Sequence, residues 1–187
     1  MNKHYFIAIK IPMKVANAII QERDKTNLQK THKILPVAED LHITLYYLGH
    51  VVDDTLTQII DSFHLLEWGS FELTTSGVAH FGSDVTPRVV YTALEKSNPL
   101  HFLHQKIVER LADIIEVQEK NDYTAHITIA KKWAAKESVN LVNFKLPDLS
   151  FNVDSFSIYT INVTQSPRYE EVSTFLNREG NQNGPTS

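Results

Sequence analysis

Two histidine–threonine pairs carry the chemistry this sequence can do. His42 and Thr44 stand in Leu41-His42-Ile43-Thr44-Leu45, and His126 and Thr128 in Ala125-His126-Ile127-Thr128-Ile129. An imidazole titrates near neutrality, so one of two can take a proton while the other gives one. A hydroxyl beside each can donate to an oxygen on which charge develops. The bare spacing, Thr two places after His, is common. The context is not: both pairs have Ile between them, both sit in aliphatic alternation, and none of the other seven histidines shows the pattern.

Such residues need rigid carriers, and each motif reads as a strand. With a side-chain period of two, His42 and Thr44 share one face while Leu41, Ile43 and Leu45 share the other. The second copy repeats the arrangement around His126 and Thr128.

Around these strands, 4–11 reads as a first strand and 12–24 as a helix opened by Pro12. A connector follows over 25–40, holding Lys25, Lys30 and Lys33. The first motif strand runs over 41–48 and stops at Gly49. Asp53 or Asp54 then caps a helix to about Trp68, with Leu56, Ile59, Ile60, Phe63 and Leu66 on one side. Strands follow over 71–79 and 88–94. Asn98 and Pro99 open a helix carrying Leu100, Leu103, Ile107, Leu111 and Ile114. The second motif strand is expected over 123–132, one or two strands over 149–163, and a last one over 171–176. Residues 1–177 form one domain, and the polar segment 178–187 is expected to be a disordered tail. Each half holds one motif strand and at least one helix. The expected fold is α+β, with two pseudo-symmetric lobes, antiparallel sheets with helices outside, facing across a central groove.

Composition narrows the function. The 187 residues carry 42% hydrophobic and 21% charged side chains, as an ordinary globular domain does. No run of 18 apolar residues would span a membrane. The apolar start is interrupted by Lys10 and closed by Pro12, too short for a signal peptide, so a cytoplasmic protein is expected; a monomer is the separate expectation for its assembly. With Cys 0, disulfides, thiolate nucleophiles and Cys-ligated zinc are excluded. The net charge of −4 speaks against coating long nucleic acid, which needs a basic stripe, but leaves room for one phosphate or a short terminus.

The chain resembles the 2H phosphoesterases, and within them the bacterial and archaeal 2′–5′ RNA ligase or RNA 2′,3′-cyclic phosphodiesterase branch. The likeness rests on Tyr5-Phe6-Ile7-Ala8-Ile9 with Pro12, on 40–45 with Leu48-Gly49, on Phe81 with Pro87-Arg88-Val89-Val90-Tyr91, and on 123–130. It departs at Lys131, where the family often has Arg, and at Ala125, where Pro is common. The resemblance implies a bilobal fold and metal-independent opening or joining of nucleotide phosphodiesters, with RNA 3′ ends or small cyclic nucleotides as substrates and no cofactor.

Opening a 2′,3′-cyclic phosphate needs a base for water, an acid for the leaving ribose oxygen, and donors for the phosphoryl oxygens. His42 is assigned as acid and His126 as base, an order the pseudo-symmetry leaves open. Thr44 and Thr128 are the donors. Lys131 and Arg88 are candidate phosphate contacts; alternation puts Lys131 on the wrong face unless the strand bulges. Tyr123, and Tyr46 in phase with His42, could stack on a base. His101 and His104 lack a third ligand spaced for metal. Rival readings are hydrolysis of a cyclic dinucleotide, a 2′,5′-oligonucleotide or ADP-ribose 1″,2″-cyclic phosphate, and a non-catalytic module holding nucleotides or RNA ends.

Overall fold

Alternating aliphatic residues put the chain into strands, and three- and four-residue apolar spacing puts it into helices. A computed structural model describes residues 3–118, 123–136, 138–139, 141 and 144–178. Its strands are β1 Tyr5–Lys10, β2 His32–Ile34, β3 His42–Gly49, β4 Phe71–Gly82, β5 Pro87–Leu94, β6 His126–Trp133, β7 Ser150–Val153, β8 Ser155–Ile161 and β9 Tyr169–Leu176. Its α-helices are α1 Met13–Asp24, α2 Leu28–Thr31, α3 Asp53–His64 and α4 Asn98–Ala112, with a 3-10 turn at Ala38–Asp40.

The strands run in the order β7-β4-β5-β6-β3-β1-β8-β9, with β2 added on β6. The two lobes meet edge to edge where β3 pairs with β6, and the one register pair there is Ile43 with Ile127. A helix lies in the connection on each side of this seam: α1, followed by α2, β2 and the 3-10 turn, between β1 and its antiparallel neighbour β3, and α4 between β5 and its antiparallel neighbour β6. The two motifs therefore lie on the adjoining edge strands of the two lobes, side by side at the middle of one continuous sheet.

The helices cover one face of that sheet. Ile19 of α1, Ile59 and Phe63 of α3, and Leu103 and Ile107 of α4 share a core with Ile7, Ile9, Ile43, Leu45, Ile127 and Ile129. Ile43 and Ile127 are fully buried, so truncating either to Ala should cost about 2–5 kcal/mol. A smaller cluster of Phe6, Ala8 and Tyr159 belongs to the other face.

Both motif strands bulge at the same place. Along β3, Thr44 pairs with Ala8 but Tyr46 pairs with Ile7, leaving Leu45 as an extra residue. Along β6, Thr128 pairs with Tyr91 but Ala130 pairs with Val90, leaving Ile129 extra. Each is the third residue after its motif histidine. An extra residue reverses strand alternation beyond it, and this reversal changes which side chains reach the open face.

Several local expectations are corrected. Residues 25–40 are not a plain connector: α2, β2 and the 3-10 turn lie within them. Asp53 and Asp54 fall in the first turn of α3, after the cap residue Val52, where they meet the helix dipole instead of capping. That helix ends at His64, before Trp68. Ser97 caps α4, its hydroxyl accepting from the Leu100 N–H at 3.3 Å. Arg178 bridges back to Trp68; the remaining tail residues 179–187 lie outside the described ones. No described helix is long and apolar enough to cross a membrane.

Candidate active site

The seam fixes how the motifs meet. With Ile43 opposite Ile127 in an antiparallel pair, His42 lies opposite Thr128 and Thr44 opposite His126. The four residues form a square on the sheet face away from the helices. Facing neighbours in such a pair are about 4.5–5.5 Å apart and diagonal ones about 7–8 Å. The two histidines occupy the diagonal, a span that admits one phosphoryl group. All four residues are half-buried, while Ile43 and Ile127 between them are sealed.

The imidazoles are wired alike. His42 Nδ1–H donates to the carbonyl of Asp40 at 2.7 Å, and His126 Nδ1–H to the carbonyl of Thr124 at 2.7 Å. A carbonyl only accepts, so each Nδ1 holds its hydrogen and each Nε2 is left for proton transfer. The Thr44 hydroxyl meets His42 Nε2 at 3.1 Å.

Aromatic walls hold both rings. Phe6 packs on His42 at 4.9 Å between ring centroids, and Tyr169 meets it edge-on at 5.0 Å. Phe81 and Tyr91 each lie 5.0 Å from His126. These apolar surroundings disfavour the imidazolium. Burial is the largest cause that pushes His42 down to about 4, and Lys131 and His126 nearby add to it. His126 is also pushed down by burial, opposed by its bond to Thr124. These surroundings keep both rings neutral at pH 7.

The bulges decide the supporting residues. The one at Ile129 carries Lys131 onto the face of His126 and Thr128, where its ammonium lies 3.4 Å from the Tyr169 hydroxyl and close enough to depress His42. The one at Leu45 does the reverse to Tyr46, which pairs with the buried Ile7 and accepts from the Gln118 N–H at 3.3 Å. The in-phase reading of Tyr46 is thereby overturned. Tyr47 takes its place on the open side, paired with Phe6 and hydrogen-bonded to His4 Nδ1 at 2.7 Å. Tyr47 and Lys131 thus hold equivalent positions, five residues after each histidine.

Tyr123 is committed elsewhere than to a base. Its hydroxyl donates to the Thr44 carbonyl at 3.1 Å, and its ring stacks on His104 at 3.8 Å and 5°. It fastens the approach to the second motif onto the first motif strand. Arg88 is exposed at the start of β5, beside Pro87, whose carbonyl accepts from His32 Nε2 at 2.9 Å.

Two site residues escaped the sequence reading. The buried Asp40 carboxylate accepts from the Arg168 N–H at 2.9 Å and the Tyr169 N–H at 3.2 Å, tying the β8–β9 turn to the first motif. Its place two before His42 was the available signal. Arg23, only 6% exposed, donates to the carbonyls of Pro36 and Ile129, and nothing in its surrounding sequence marks it. A cleft of about 310 Å³ opens beside Lys131, Asp40 and Tyr169. A larger one of about 540 Å³, between Phe71–Thr74 and Glu95–Pro99, is lined by no motif residue.

Comparison with known proteins matches the chain to one family. The model of the 2′-5′ RNA ligase superfamily fits residues 12–165. The RNA 2′,3′-cyclic phosphodiesterase of Bacillus subtilis (strain 168) is 29% identical over 176 residues, 92% of this chain and 95% of that protein. The RNA 2′,3′-cyclic phosphodiesterase of Geobacillus stearothermophilus is 25% identical over 177 residues, 92% of this chain but 56% of that protein. E. coli LigT, solved in complex with 3′-AMP, shares the fold with a TM-score of 0.82 over 96% of this chain and 100% of that one, at 19% identity.

Proposed function

The chain belongs to the 2′-5′ RNA ligase superfamily, and on that premise we propose that it opens 2′,3′-cyclic phosphate ends of RNA or nucleotides to 2′-phosphates. The observation that carries this is the pairing of Ile43 with Ile127, which sets both His–Thr pairs on one open face. The names of the curated relatives support the substrate class.

In this reading the phosphorus sits between the two Nε2 atoms. The basic imidazole takes a proton from water, and the water oxygen forms a new bond to phosphorus. The bond to the ribose 3′ oxygen breaks, and the imidazolium gives that oxygen its proton. The product is a 2′-phosphate with a free 3′-hydroxyl. Thr44, Thr128 and Lys131 hold the non-bridging oxygens as charge shifts onto them. In the ligating direction the two imidazoles exchange roles.

The scheme calls for one neutral and one protonated ring, whereas burial favours both rings neutral. The phosphate anion supplies the difference: it engages Lys131 and favours an imidazolium beside it. Assigning His42 as the acid requires bound phosphate to lift its pKa above that of His126, because burial holds His42 down to about 4.

The test is turnover of cytidine 2′,3′-cyclic phosphate with identification of the product isomer. The expected product is the 2′-phosphate, with His42→Ala and His126→Ala each at least about 10³-fold slower and EDTA without effect. Full activity in either variant, or a 3′-phosphate product, would overturn the proposal.

A further inference from the structure

The cleft beside Lys131 lies between the segment that runs from β2 into the 3-10 turn and the turn that joins β8 to β9. Its cations are Lys33, Lys131 and Arg168, and its one acidic lining residue is Asp40. That carboxylate is occupied by the backbone N–H groups of Arg168 and Tyr169. The lining therefore carries an excess of positive charge in a chain of net charge −4. The arrangement is also held in place. Ile34 pairs with Lys131, which fixes β2 beside the cleft, and the exposed Lys33 is the adjacent residue on that strand. Arg168 is pinned through its backbone by Asp40 and by the Asn162 N–H, which donates to its carbonyl at 2.7 Å.

The cleft is continuous with the catalytic face. Lys131 and Tyr169 line it, and the same Tyr169 ring meets His42 edge-on at 5.0 Å. A nucleotide whose 2′,3′ edge lies at the two histidines carries its next phosphate on the 5′ carbon of the same ribose. That phosphate falls one sugar's width from the reacting one. A nucleobase would gain little from three cations, whereas a phosphate gains charge-assisted hydrogen bonds.

We propose that this cleft is a subsite for the 5′-phosphate of the terminal nucleotide, the group through which that nucleotide joins the rest of an RNA. The proposal rests on the phosphodiesterase reading above and names the substrate within it. Its volume of about 310 Å³ exceeds one phosphate and leaves room for part of the preceding nucleotide. The enzyme would then act on RNA ends in preference to free cyclic mononucleosides.

Three substrates test it: cytidine 2′,3′-cyclic phosphate, the same compound bearing a 5′-phosphate, and the dinucleotide CpC ending in a 2′,3′-cyclic phosphate. The expected result is a kcat/KM roughly tenfold or more higher for the second and third, the worth of one charge-assisted contact. The gap should narrow as salt is raised. In Lys33→Ala and Arg168→Ala the ratio of phosphorylated to unphosphorylated substrate should fall several-fold, and Lys33→Glu should bring it near one. An advantage for the dinucleotide alone would place the contact on the preceding nucleotide and overturn the 5′-phosphate assignment. Equal kcat/KM for all three in the wild-type protein, or a ratio unmoved by the variants, would overturn the subsite alone. Hydrolysis of none of the three would instead remove the activity on which it rests.

Discussion

The guanidinium of Arg23 lies 3.4 Å from the carbonyl of Ile129, at the point where β6 carries its extra residue. The same side chain donates to the Pro36 carbonyl and pairs with Asp24 at 2.9 Å. One buried cation therefore braces the bulge that turns Lys131 toward His42. Arg23→Met would strand two carbonyls, at a cost of about 2–4 kcal/mol. The urea midpoint should fall accordingly. In the folded fraction KM should rise more than kcat falls, because Lys131 loses its fixed position while the histidines keep theirs. Arg23→Lys should recover part of both. An unmoved midpoint would show that other donors satisfy those carbonyls.

Lys131 depresses His42 through its charge. Lys131→Ala should therefore raise the His42 pKa, a shift readable by NMR titration of its ring protons, while lowering kcat/KM about 10²-fold through loss of a cation on the phosphoryl oxygens. Lys131→Arg keeps the charge and adds a planar fork, so it should leave the His42 titration low and preserve or improve KM. A His42 pKa unchanged by Lys131→Ala would place the ammonium outside the site.

Burial of neutral His42 also makes stability depend on pH. Its pKa is about 4 when folded, against an ordinary 6.5. Between these values the unfolded chain binds a proton that the folded chain refuses, so stability falls as pH drops from 6.5 toward 4. The contribution of His42 has an upper figure of about 3 kcal/mol. His126 and His104, also depressed by burial, act in the same direction. Urea denaturation at pH 7 and pH 4.5 should show a smaller loss in His42→Gln than in the wild type. Equal losses would mean that His42 takes up its proton without hindrance in the folded protein.

The candidate site was legible because it is local. His42, Thr44, His126 and Thr128 announce themselves by spacing, and alternation alone puts Ile43 and Ile127 behind them. The fold class follows from the same periods. What the sequence hides is the pair of bulges, since an extra residue in a ladder leaves no mark in composition. The alternation rule fails beyond Leu45 and Ile129 for that reason. It placed Tyr46 on the open face, where Tyr47 stands, and it made the placement of Lys131 depend on a bulge that the structure contains. Arg23 was equally unreadable, because the two carbonyls it serves stand 13 and 106 residues away and only the fold brings them to it. Asp40 sat inside the quoted motif, but its role depends on a turn 128 residues later.

The order of acid and base can be separated by the leaving group. A general acid matters most when the departing oxygen is a poor leaving group, and least when it is 4-nitrophenolate, which departs without a proton. The assignment of His42 as acid predicts that His42→Ala loses far less activity on a 4-nitrophenyl phosphodiester than on a 2′,3′-cyclic phosphate. His126→Ala, lacking the base, should lose similar factors on both. The opposite pattern would reverse the roles, in keeping with the depression of His42 to about 4 by burial. Parallel losses for both variants on both substrates would mean that neither imidazole protonates the leaving oxygen. The Nδ1 bonds to the Asp40 and Thr124 carbonyls would then be the shared wiring of two phosphate ligands.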